Sequence, residues 1–307
     1  MNLDIVIVNW NSGTQLRECV DSIYRYDVDF VAKVVIVDNG STDDSVLKIE
    51  ARERLNIIEA GTNLGFGKAC NLGASFCDSE FILFLNPDTR VYSGTLAGVL
   101  NFFTQTSSDH VGICGIQLED QNGMIAKSCS RFPSAIRFVS SSLGLDKLVP
   151  GLGSAMSDWD HSSTMPVDQV IGAFFLVRRS VFDRLNGFDE RFFIYYEEVD
   201  FSFRAKEHGW SSVYFAGAQA FHLGGGVSRQ VKAKRLFYSR RSAMQYTCKH
   251  FGAFEVVIVC SAMVFIEPLF RIIQALMRRS SSSLRETIIG YYFLYRWALT
   301  RCIRLFY

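Results

Sequence analysis

The first hundred residues alternate short apolar runs with polar, glycine-bearing turns and amphipathic stretches. Leu3-Asp4-Ile5-Val6-Ile7-Val8 leads into Asn9-Trp10-Asn11-Ser12-Gly13, and Val34-Val35-Ile36-Val37 leads into Asp38-Asn39-Gly40-Ser41. Asn56-Ile57-Ile58-Glu59 approaches Asn63-Leu64-Gly65-Phe66-Gly67. Runs of this length read as strands, and each turn is expected to feed a helix. Leu16, Cys19, Val20 and Ile23 give the first helix an apolar stripe, and Ser41 with Asp44 predicts a capped helix after the second turn. A fourth run, Phe81-Ile82-Leu83-Phe84-Leu85, is apolar throughout, as expected of a strand buried on both faces. Pro87 removes a backbone donor where that strand should stop. The alternation predicts an α/β fold with a mostly parallel, mixed central sheet flanked by helices and its polar strand ends gathered along one edge.

Open α/β sheets bind ligands at that carboxyl edge, where Asp38, Asn63 and Asp88 would meet. Taken singly, each is as well read as a turn or cap residue. Two further segments carry chemistry. Phe221-His222-Leu223 follows the apolar strand Val213-Tyr214-Phe215 and precedes Gly224-Gly225-Gly226, so His222 is either a site residue or a buried structural ring. The glycines would let backbone approach a ligand closely. Glu197-Glu198-Val199-Asp200 follows Phe192-Phe193-Ile194-Tyr195-Tyr196. Carboxylates crowded in an apolar setting raise at least one pKa, although acids also suit the solvated first turn of a helix. No Gly-x-Gly-x-x-Gly follows the first strand, which excludes a dinucleotide-dependent oxidoreductase.

Several of these motifs fall in a familiar order. Val8-Asn9-Trp10-Asn11, Asp38-Asn39-Gly40-Ser41-Thr42-Asp43, Asn63-Leu64-Gly65-Phe66 with Asn71, Asn86-Pro87-Asp88, Gly187-Phe188-Asp189-Glu190 and Tyr196-Glu197-Glu198-Val199-Asp200 together resemble family-2 glycosyltransferases of the GT-A fold, most of all the bacterial rhamnosyltransferase-like branch. The likeness spans roughly residues 3 to 250. It implies a nucleotide-sugar donor, dTDP- or UDP-linked, with Val8, Asn9, Asp38, Gly65, Asn71 and Asn86 on the donor side and a weaker role for Lys68. Asp38 would accept from a pyrimidine N3–H or a ribose hydroxyl. It implies a divalent cation, Mg²⁺ or Mn²⁺, held by Asp88 and by His222, since hard oxygen ligands and imidazole suit such ions. The family's Asp-x-Asp stands here as Asn86-Pro87-Asp88, which leaves Asp88 as the charged ligand. Matched position by position, Glu198 is the base that takes the acceptor proton, Glu197 and Asp200 support it, and the anomeric configuration inverts. The acceptor would be a lipid-linked glycan or oligosaccharide, and the donor sugar rhamnose. The rival is a catalytically silent nucleotide-sugar binder or assembly subunit at the membrane; intact Glu198 and His222 favour the enzyme.

Charge separates the tail from the rest. After Pro268 there are seven arginines against Glu286 alone, so a chain of net charge +1 ends in a segment of +6. Val256 to Ile266 is uncharged but shorter than the roughly 18 residues of a membrane-spanning helix, and Glu267, Pro268 and Arg271 are read as interruptions. The same applies to Ile288 to Tyr295, stopped by Arg296. The tail therefore predicts amphipathic helices lying on an anionic membrane surface, or packed on the catalytic domain or another subunit of a homo-oligomer. The basic, amphipathic stretch from Arg229 to His250 precedes it. Near-neutral charge and no visible nucleic-acid module argue against nucleic acid as a partner. The expected division is a catalytic domain over 1–250, with a nucleotide-sugar half (1–110) and an acceptor half (111–250), and a membrane-associating tail over 251–307. Residues 134–165, rich in Ser, Gly and Leu, predict a flexible lid. A hydrophobic content of 49% provides a sizeable core. Eight scattered cysteines, with no Cys-x-x-Cys and no leader in Met1-Asn2-Leu3-Asp4, predict a cytoplasmic protein on the inner face of the membrane.

Overall fold

The computed structural model describes residues 3–105, 110–225 and 231–303. Gly226, Arg229 and Arg304, which figure in the motifs above, lie outside the described residues. The chain runs β1 (Leu3–Asn9), α1 (Gln15–Tyr26), β2 (Val31–Asp38), β3 (Leu55–Glu59), α2 (Phe66–Ala74), β4 (Phe81–Leu85), β5 (Thr89–Val91) and α3 (Thr95–Gln105). It continues through β6 (Val111–Glu119), β7 (Cys129–Ser130), α4 (Ala135–Ser142), β8 (Met165–Val167), β9 (Gln169–Val170), β10 (Phe174–Arg178), α5 (Arg179–Arg184), α6 (Glu197–Glu207) and β11 (Ser211–His222). Four helices close it: α7 (Lys232–His250), α8 (Ala253–Ser261), α9 (Glu267–Met277) and α10 (Ser281–Ile303).

These elements form two compact units. The first holds residues 1–132, 159–193 and 197–227; the second holds 133–158, 194–196 and 228–307. This differs from the expected division at 250, because α4 and α7 join the C-terminal helices.

The first unit is built on a nine-stranded mixed sheet ordered β3-β2-β1-β4-β10-β6-β11-β5, with β8 paired to β11. Strands β1, β2, β3 and β4 are parallel neighbours, as the apolar runs predict. Every residue of β1 and β4 is buried, since helices cover both sheet faces. Leu16, Cys19, Val20 and Ile23 of α1 pack into the core as expected. On the other face α2 lies so close to β1 that a Cβ at Gly73 would collide with Val6 and meet Val37 Cγ2 at 3.0 Å.

Two expectations fail in instructive ways. Residues 41–50 form turns, not a helix. Ser41 Oγ accepts from the Asn9 amide and the Asn11 N–H, while Asp43 Oδ1 accepts from the Ser45 N–H and hydroxyl. Side chains that bond local backbone in this way compete with helix formation. Conversely, the stretch expected to be a lid contains α4, whose N-cap Ser134 accepts from Arg137 N and whose Phe138 is buried in the second unit against Tyr196 and Phe251.

The second unit contains an unexpectedly long helical run. Helices α8 and α9 join through a π turn at Ala262–Ile266, giving Ala253–Met277, 25 residues long and apolar enough by length and composition to cross a membrane. The three residues read as interruptions are absorbed. Glu267 is buried between Arg240 at 3.1 Å and Arg271 at 2.7 Å. Pro268 lacks the N–H that would bond the carbonyl four residues back, and the Tyr295 hydroxyl donates to that carbonyl, Val264 O, at 2.8 Å.

Tyr295→Phe is therefore expected to lower the stability of the helical unit by about 0.5–1.5 kcal/mol, the net worth of one hydrogen bond. In a Pro268→Ala background, where a backbone N–H becomes available to Val264, the loss should shrink. Additive losses in a denaturation double-mutant cycle would show that Tyr295 does not serve this carbonyl.

Candidate active site

The carboxyl edge of the first unit's sheet is organised by Asn9, which ends β1 directly opposite Asp38 at the end of β2. Its side chain is fully buried, with Nδ2 donating to Asp38 Oδ1 (3.0 Å), Ser41 Oγ (3.0 Å) and Ser45 Oγ (2.9 Å), while Oδ1 accepts from Ser12. Asn9 is thus a scaffold for the site, and Asp38 is the group it presents. Asp38 Oδ2 also accepts from Ser41 N at 3.4 Å. Val8 is buried beside it.

Next along the edge, Asn39 ties the second turn to the third. Its amide donates to Asn63 Oδ1 and Gly65 O, each at 3.2 Å, and its Oδ1 accepts from Leu64 N at 2.8 Å. Sequence reasoning missed Asn39, although an Asn in each of two turns on neighbouring strands was a signal. Gly65 precedes α2 at φ +88°, and a Cβ there would strike the Phe193 carbonyl, which accepts from Phe66 N. Only glycine fits.

Asn71 bonds the turn that precedes the acidic cluster. Its Oδ1 accepts from Phe188 N and its Nδ2 donates to Phe188 O, both at 2.9 Å, and Nδ2 also reaches Glu190 Oε1 at 3.2 Å. This clamps the Gly187-Phe188 turn onto α2, and a Cβ at Gly187 would sit 2.6 Å from Asn71 Oδ1. Lys68 pairs with Glu190 at 3.6 Å.

Beyond β4, Asn86 N donates to Ala173 O at 3.1 Å, which fixes the turn. Asp88 and His222 come together because β5 pairs antiparallel with the end of β11, setting His222 opposite Thr89. Asp88 Oδ1 lies 3.3 Å from His222 Nε2, and Asp88 O accepts from Leu223 N at 3.1 Å. Both side chains are largely buried. One carboxylate and one imidazole converging at a strand end form a donor set that suits a borderline divalent ion. Among the described residues no group of three acidic, His or Cys side chains stands ready to hold a metal, so such an ion would need oxygen ligands from substrate or water. Gly224 and Gly225 follow at φ +69° and +75°.

The acidic cluster opens α6, and the three carboxylates differ. Asp200 is fully buried and bound to Arg204 Nε at 2.8 Å; Arg204 in turn donates to Leu185 O and Gly187 O. It therefore holds the same turn that Asn71 holds from the other side. Glu197 is buried against the first turn of α2, its Cβ 3.4 Å from where a Cβ at Gly67 would stand. Glu198 is half-buried. The Oε2 atoms of both glutamates are buried without a hydrogen-bond partner among the described residues. Burial, and after it the Glu198 charge, pushes the Glu197 carboxyl well above the usual range. Burial also raises Glu198, partly offset by its own N–H and that of Val199. A raised carboxylate that keeps some access is the arrangement a general base requires. Tyr195 and Tyr196, just before the pair, take φ +67° and +71°, a conformation costly for aromatic residues and common at functional sites.

A mixed sheet with its polar groups along one carboxyl edge is the architecture shared with glycosyltransferases of the GT-A class. Residues 4–140 match the model of glycosyl transferase family 2. Over 240 residues the chain is 29% identical to the N-acetylglucosaminyl-diphospho-decaprenol L-rhamnosyltransferase of Mycobacterium tuberculosis, covering 72% of this chain and 75% of that one. It is 26% identical to the rhamnosyltransferase WbbL of Escherichia coli, covering 80% and 92%. Among solved structures, the Pyrobaculum calidifontis mannosyltransferase PcManGT with GDP-Man and Mn²⁺ superposes with a TM-score of 0.55 at 14% identity, covering 95% of this chain and 85% of that one. Staphylococcus aureus TarS 1-349 gives 0.52 at 16% identity, covering 95% and 79%. The chain thus carries a family-2 glycosyltransferase region over residues 4–140 and is similar over most of its length to rhamnosyltransferases.

The glutamate pair makes stability pH-dependent in a defined direction. A carboxyl raised in the folded state binds more protons there than in the unfolded chain, so its favourable contribution is complete at acid pH. It is lost as pH rises from the ordinary carboxylate range through the raised value. Glu197→Gln removes this loss. Its melting temperature is expected to exceed that of the parent at neutral pH, with the difference vanishing near pH 4. A constant difference across a pH series would assign the effect to packing.

Proposed function

We propose that the protein is an inverting glycosyltransferase that moves rhamnose from a dTDP-linked donor to a lipid-linked glycan in cell-surface polysaccharide synthesis. The observation that carries this reading is the presence, on one sheet unit, of the Asp88–His222 pair and the buried Glu197–Glu198 pair. Similarity to two rhamnosyltransferases, one named for a diphospho-decaprenol acceptor, supports the sugar and the acceptor class. The Mn²⁺ and nucleotide sugar named with the mannosyltransferase neighbour support divalent-metal use.

In this reading Asp38, oriented by Asn9, receives a donor from the pyrimidine or ribose. Gly65 allows the donor to approach the start of α2, and Asn86 lies on the same edge. Asp88 and His222 would hold the cation, which when bound neutralises charge growing on the departing diphosphate. Glu198 takes the acceptor hydroxyl proton onto a carboxylate oxygen as the new bond forms on the face opposite the leaving group. Glu197, buried beside it, supports Glu198 by helping to enclose the pair away from water. Asp200 positions the loop through Arg204. The exposed apolar face and arginines of the tail support a peripheral location on the cytoplasmic face of the membrane. Charges at Glu267 and Arg271 within the long helix argue against its spanning.

Two measurements test the assignment. Glu198→Gln should retain donor binding and lose turnover by at least about 10²-fold; near-normal turnover would move the base elsewhere. A panel of nucleotide sugars with and without Mn²⁺ should give metal-dependent stabilisation, about 2.7 kcal/mol at 100 times Kd. Asp88→Ala should abolish it in a folded protein. Stabilisation that survives that change would remove Asp88 from the metal.

A further inference from the structure

The second unit contains a cavity of about 430 Å³ lined by three helices. Helix α7 contributes Lys232, Arg235 and Arg240, α9 contributes Arg271 with Arg278 at its C-cap, and α10 contributes Glu286. Five cations thus face one lining carboxylate. Glu267, beneath them, neutralises Arg240 and Arg271, and Glu286 lies 3.6 Å from Lys232. Arg235 and Arg278 are exposed and make no ion pair among the described residues. Arg240 Nε is buried without a hydrogen-bond partner there. A basic concavity with unspent guanidinium donors is suited to phosphate oxygens.

The outer side of the same helix adds a second requirement. Arg271, Gln274, Ala275 and Arg278 recur at helical spacing toward the cavity, while Leu269, Phe270, Ile273, Leu276 and Met277 before and among them are solvent-exposed, Met277 by 80%. The apolar face continues N-terminally through Phe254, Val257 and Phe265. Exposed apolar surface on this scale marks an interaction site. Basic groups in a cavity beside an apolar helix face match an anionic amphiphile, with the headgroup among the arginines and the chains along the helix.

We infer that this cavity is a headgroup site for an anionic membrane phospholipid and seats the helical unit in the bilayer surface. The inference rests on the peripheral-membrane reading above and names the groups responsible. Because Arg235 and Arg278 are exposed, replacing both leaves the core intact.

The test is sedimentation of the full chain with vesicles of phosphatidylcholine, alone or mixed with phosphatidylglycerol. The parent is expected to bind the mixed vesicles preferentially. Arg235→Gln with Arg278→Gln should weaken that binding by about tenfold or more, since each basic residue at an anionic surface contributes measurably. Arg17→Gln with Lys48→Gln, an equal charge loss on the first unit, should leave it nearly unchanged. If the parent binds neither vesicle, the membrane reading fails and the site with it. If the parent binds and both double variants behave alike, membrane attachment stands and the cavity is not its headgroup site. Preference for neutral vesicles doped with a polyprenyl diphosphate over those with phosphatidylglycerol would overturn the assignment to bulk phospholipid.

Discussion

The site rests on one buried amide. Asn9 has no solvent contact, and its side chain joins the end of β1 to Asp38, Ser41, Ser45 and Ser12. A buried polar network of this kind is stabilising only while every member is satisfied, because each orphaned group costs about 1–3 kcal/mol in desolvation. That constraint explains why residues 41–50 remain in turns: their hydroxyls and carboxylates are engaged by the first strand's end and are unavailable to cap a helix. It also explains how Asp38 keeps a fixed direction at the end of a strand.

The acidic end is held by a different device. Asn71 on α2 and Arg204 on α6 grip the Gly187-Phe188 turn from two sides, and Asp200 fixes the guanidinium. Glu197 and Glu198 start the helix that Arg204 belongs to, so the Asp200–Arg204 pair also anchors the helix that carries them. The desolvation that raises Glu197 and Glu198 is the energetic counterpart of that enclosure.

What the sequence made legible follows the range of each interaction. Strands β1 to β4, helix α1 and the carboxyl edge were readable because period, apolar runs and glycine turns are local signals. The motif order also pointed to Asp88 and His222, which β5 and β11 do bring together. The contact between Asn71 and Phe188 was not readable, since the two lie 117 positions apart. The long helix of the second unit was misread for a similar reason. Glu267 and Pro268 interrupt an apolar run in one dimension, but Arg240, Arg271 and Tyr295 satisfy them in three.

The three-residue strand β5 sets the Asp88–His222 pair, and its brevity has an evolutionary consequence. Side chains alternate faces along a strand, so inserting or deleting one residue between Leu85 and Val91 would turn Asp88 away from His222 with no longer ladder to restore the register. The spacing across this segment should therefore be intolerant of gaps in any lineage that keeps the Asp–His pair, while the exposed turn at residues 120–123 is free to change length.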